Sequence, residues 1–345
     1  RTMKRLLIFA LILLTLPVFA VTNTTSAAGN LSDTTKWSQS HMPVSGEDVV
    51  FAHAITWDAG AGTRFPATGD LGAVSSTTGT LTVAVDTIGS CELHAVTISA
   101  GAATCIVASG SAPNTFGVWG NLTGGTAYAC YGVHLAGWGP QLTVVGSVTG
   151  GSYITGYGIS TNNDICDITI TGNVLAGTSR GILLDDYRGS CVVNGTCTGS
   201  TVAGILLYGT IGGASLTITG GLFGSSSTAT STGYGLQVTT GSGNTWSLVC
   251  PSMTNSATAT AFAGTPPVAW TNSGGAGELA KFMTFLGSTD IYVAALLDHE
   301  MVSGTVRGAI TGNRADATAT SVLSSHRYGP SDNQTTGTYH PTTTS

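Results

Sequence analysis

The chain has 345 residues with 8% charged, 42% hydrophobic and 49 glycines, and a formal net charge of −6. So few basic groups leave no positive stripe for nucleic acid, and so low a charge density excludes disorder driven by charge repulsion. Abundant Gly, Ser and Thr among apolar residues point to an extracellular, β-rich chain with many turns.

Taken in order, Met3-Lys4-Arg5 precedes an apolar run from Leu6 to Phe19 that closes on Val18-Phe19-Ala20. A basic start, a short apolar core and a small-residue end predict a secretory signal peptide over 1–20, cleaved after Ala20. The run is short for a bilayer span of about 20 residues, so no membrane partner is expected after cleavage. Residues 21–49 are predicted to be a leader and N-terminal cap, flexible to about residue 36.

Between Trp37 and Trp57 the order Trp37-Ser38, Pro43, Gly46, Asp48 and Val50 precedes the first apolar alternation. This W-S…P…G-x-D-x-V order resembles the lead-in of secreted bacterial and phage parallel β-helix proteins of pectate-lyase-like architecture. The resemblance implies that Trp37 covers the open first rung, as the end of a solenoid requires. Strand patterns at 81–85, 93–99 and 105–109 read as irregularly spaced early coils.

From Phe116 to Cys250 the chain repeats itself. FGVWGNL, LTVVGSV, ITITGNV, CVVNGTC and LTITGGL align on Gly120, Gly146, Gly172, Gly195 and Gly220, at spacings of 26, 26, 23 and 25 residues. A second ladder, Gly132, Gly158, Gly181, Gly204 and Gly235, interleaves with the first and predicts two strands per coil. A period in the twenties marks a solenoid whose stacked repeats bury one apolar face together. Positions −4, −2 and +2 around the first glycine column are apolar in every row, so they are predicted to point inward.

The fold class expected is therefore all-β, a right-handed parallel β-helix over residues 50–262. The hand follows the general preference of parallel crossovers. After Cys250 the period decays, and 263–345 is expected to be a C-terminal cap or small module, partly helical, ending in a Thr-rich tail.

Seven cysteines occur. Cys191 and Cys197 fall on inward positions and read as small core hydrophobes. A bridge among Cys91, Cys105 and Cys130 is left open, and no spacing suggests zinc.

Chemistry is expected in the turn column after the second strand, where the acidic groups of the regular coils gather. Asp164, Asp185, Asp186 and Arg188 are the catalytic candidates if the protein is a polysaccharide lyase or glycoside hydrolase. Carboxylates one rung apart approach the roughly 5 Å separation of retaining glycosidases. With Asn162, the same oxygens are candidate ligands for Ca²⁺. Alternatively, Asp185-Asp186 is a solvated turn neutralised by Arg188. His134, Trp138, Asn162, Tyr187 and Tyr208 are candidate ligand-binding residues, the aromatics as stacking platforms for sugar rings.

No pectate-lyase or polygalacturonase motif occurs. The expected function is a secreted, non-catalytic surface or virion-type protein that binds polysaccharide or cell-surface glycan along a lateral face. The alternatives are the enzyme, a structural spacer, or an ice-binding solenoid using its outward threonines.

Overall fold

The computed structural model describes residues 20–111, 113–136, 140–162, 166–209, 212–226, 233–240, 245–254, 261–264 and 269–272. It also describes four short strands, Thr305–Arg307, Ile310–Gly312, Arg327–Tyr328 and Thr335–Thr336. The expected signal peptide up to residue 19 and the runs 277–286 and 290–304 of the expected, partly helical C-terminal module lie outside the described residues. No helix among the described residues is long and apolar enough to cross a membrane.

The chain winds as a β-solenoid in which every ladder of the stack is parallel, gathered into sheets of 17 and 10 strands. The larger sheet folds around a corner, so each coil presents three faces. The first face begins with Arg64–Phe65 and takes in the leading half of Cys91–Ser99, the leading half of Thr115–Thr123, Gln141–Val145 and Ile168–Ile170. The second holds the trailing halves of the two long strands, then Val148–Thr149 and Val174–Leu175. The third is the 10-stranded sheet, including Val133–Ala136, Ile182–Asp185 and Ile205–Gly209.

Two strands per coil were expected, and three faces are found, because the first glycine column is itself a corner. A β-carbon on Gly172 would sit 2.6 Å from the carbonyl oxygen of Gly146, and one on Gly195 2.5 Å from that of Gly172. Only glycine lets consecutive corners nest this closely. Gly120 adds a φ of +142°, and its β-carbon would strike the carbonyl oxygen of Ala95.

The inward positions behave as patterned. Phe116, Val118 and Leu122, and their counterparts through Leu216, Ile218 and Leu222, are all buried in one continuous core. Burial of this kind supplies about 25 cal/mol per Å² of apolar surface, and the columns share it between neighbouring coils.

The stack begins earlier than the pattern suggests. Thr22–Thr24 already pairs with Asp48–Val50, so residues placed in a flexible leader form the first rung. Trp37 lies over this end, 2% exposed, its ring 6.4 Å from that of Phe51 and its Nε1 donating to the Leu31 carbonyl at 3.0 Å.

All seven cysteines are free and buried. Desolvation pushes the thiols of Cys91, Cys105, Cys191 and Cys250 up to about 12, and that of Cys197 well above its ordinary value.

Two outcomes follow. Gly120→Val should lower stability by about 2 kcal/mol or more in urea unfolding, whereas Thr143→Val on the outer surface should stay within about 0.5 kcal/mol. A thiol reagent at pH 8 should leave the folded protein essentially unlabelled and react with all seven cysteines in denaturant; rapid labelling of the native protein would contradict the buried-thiol assignment.

Candidate functional site

Asp164 and Trp138 lie outside the described residues, so the proposed carboxylate pair and the Ca²⁺ set that includes Asp164 have no geometry to report. The described remainder lies on or just after the third face. Asp185 and Tyr208 are register partners on adjacent rungs, and Tyr208 is 49% exposed. Asn162 and Arg188 are exposed. His134 pairs in register with Ser160, in a different column. Its Nδ1 is buried without a hydrogen-bond partner, its ring lies 5.3 Å from that of Tyr131, and burial holds its pKa below the ordinary value.

Tyr187 corrects the expectation of a stacking platform. It is completely buried, and its hydroxyl donates to the Cys166 carbonyl at 2.7 Å. The cause is local: Asp186 adopts φ +48°, a left-handed turn that breaks the strand alternation and sends the next side chain inward.

Burial, reinforced by the charge of Asp186, pushes the Asp185 carboxyl above its ordinary value. A carboxyl raised on folding favours the protonated form, so its ionisation costs stability once pH exceeds the unfolded value near 3.9. Asp185→Asn should therefore raise the melting temperature at pH 7 and leave it nearly unchanged at pH 3; a loss at pH 7 would show that the charge is needed in place.

A denser constellation occupies the first face and was not read from the sequence. Glu92 and His94 point outward from Cys91–Ser99, with Arg64 opposite Glu92 one coil earlier and Trp119 opposite His94 one coil later. His94 is 8% exposed, and its ring is stacked on Trp119 at 4.7 Å and 9°. Its Nε2 lies 3.0 Å from Glu92 Oε2, and its Nδ1 lies 3.1 Å from Arg64 Nη2. A guanidinium can only donate, so toward Arg64 the Nδ1 accepts, leaving Nε2 to donate to Glu92. Asp70 Oδ1 stands 3.4 Å from the same Nδ1 and 3.7 Å from Arg64 Nη2.

Arg64 is turned back on its own chain, Nη1 donating to the Pro66 carbonyl at 3.2 Å and Nη2 to that of Gly69 at 2.9 Å. Trp119 fits because its neighbour lacks a side chain: a β-carbon on Gly117 would run into the six-membered ring of the indole. Together Arg64, Glu92, Thr115, Gly117, Trp119 and Thr143 border an open groove of about 250 Å³. An indole, a carboxylate and small hydroxyl groups along a groove are suited to binding a polyol.

Among the described residues, no group of three or more His, Cys, Asp and Glu side chains is arranged to hold a metal ion. No family model, curated protein or solved structure matches the chain. The signal that was available is the spacing: Glu92 and His94 stand 25 residues before Gly117 and Trp119 and share their strand parity.

Proposed function

We propose that this is a secreted, non-catalytic β-solenoid of the surface or virion type, which binds a glycan along its first face. The observation that carries the reading is the Trp119 indole, stacked on His94 and bordering an open groove with Glu92 and Arg64. Stacking on the indole supplies affinity, while Glu92 and the hydroxyls of Thr115 and Thr143 fix the sugar by hydrogen bonds.

Binding is favoured over hydrolysis by the way the cluster is spent. Both His94 nitrogens are engaged within the protein, and among the described residues Glu92 is the only carboxylate lining the groove. Glycoside hydrolysis ordinarily requires two carboxyl groups flanking the bond.

The test sets the purified chain against soluble and insoluble polysaccharides, scoring retention and release of new chain ends together. Retention without release is expected, weakened on the order of tenfold by Trp119→Ala and unchanged by Tyr208→Ala. Release of chain ends would establish an enzyme, and no retention on any polysaccharide would leave the solenoid as a spacer.

A further inference from the structure

Resting on that glycan-binding reading, we infer that the groove is built for a sugar bearing a free, protonated amino group, and against uronic acids and sulfated sugars. One guanidinium faces two carboxylates here, Glu92 lining the groove and Asp70 beside it, and Arg64 Nη2 also lies 3.1 Å from His94 Nδ1.

Exposure sharpens the imbalance. The Glu92 and Asp70 side chains are 44% and 59% exposed, while Arg64, at 34%, directs its donors at the Pro66 and Gly69 carbonyls and at His94. The positive charge is thus used within the protein, and unspent acceptor oxygens face the solvent. An incoming ammonium finds the Glu92 carboxylate to pair with, Asp70 beside the groove and an indole to rest against, and these contacts favour a cation. A carboxylate or sulfate finds like charge at the same place, on a chain whose net charge is −6.

The discriminating experiment measures binding of three soluble oligosaccharides of matched length to the full chain by calorimetry. They are β-1,4-linked glucosamine, its N-acetylated counterpart and α-1,4-linked galacturonate, each at low and at physiological salt. Glucosamine oligomers should bind about tenfold tighter than the acetylated form at pH 6, and galacturonate should not bind measurably. Glu92→Gln should abolish the preference for the free amine while leaving weak binding of the acetylated oligomer. Asp185→Asn, which removes an equal charge from the third face, should leave the preference intact.

Equal binding of the amino and acetylated oligomers, tighter binding of galacturonate, or an equal effect of Asp185→Asn would overturn the charge assignment while the glycan-binding reading stands. Absence of binding by every saccharide would overturn both.

Discussion

A single backbone hydrogen bond, repeated at the same corner from coil to coil, fixes everything else. The amides of Leu122, Val148, Val174, Cys197 and Leu222 donate to the carbonyls of Ser147, Asn173, Thr196, Gly221 and Ser252, at 2.8 to 3.0 Å. Each bond sets its coil directly against the next, so equivalent side chains recur at the inter-strand spacing of about 4.8 Å. The core is then a set of columns, and so is the outer surface. A residue's neighbours are the residues one period away in sequence, and the first face is read across coils: Arg64, Glu92, Gly117, Thr143, Thr169.

That constraint explains which parts were legible. The inward residues of the regular coils follow a strict alternation, and Leu142, Ile168, Cys191 and Leu216 occupy one buried column as patterned. The number of faces was not legible, because a short corner at Gly146 or Gly172 looks in the sequence like a continuous strand with a glycine in it. The first rung at Thr22 was missed for a related reason. Its residues are polar, and Asn23 is buried by hydrogen bonds to Glu47 and to the His41 carbonyl, with no apolar pattern to announce it.

The groove was hidden by one extra residue. In the strand Cys91–Ser99 the corner is spanned by Ala95 and Val96, where the next coil has Gly120 alone, and the register shifts between Trp119 and Asn121. Val96, 63% exposed, is pushed outward to absorb the insertion. With no glycine at the corner, this coil falls out of the repeat alignment, and only the 25-residue spacing still relates Glu92 and His94 to Gly117 and Trp119. Tyr187 failed for another reason: it was grouped with the polar turn column after the second strand, and the left-handed turn at Asp186 sends its ring into the core.

The site owes its existence to a missing side chain. Along the outward column of the first face, Thr143 and Thr169 stand where Gly117 stands one coil before. A threonine at 117 would occupy the space of the Trp119 indole, leaving the ring no room to lie beside Glu92 and stack on His94. A solenoid whose coils share one core can vary a single outward position at small cost to its neighbours, since the inward columns carry most of the stability. Arg64, Glu92, His94 and Trp119 come from three successive coils, so the binding surface is a product of stacking order as much as of residue choice, and a coil inserted or lost within residues 64–119 would dismantle the site while the core continued unbroken.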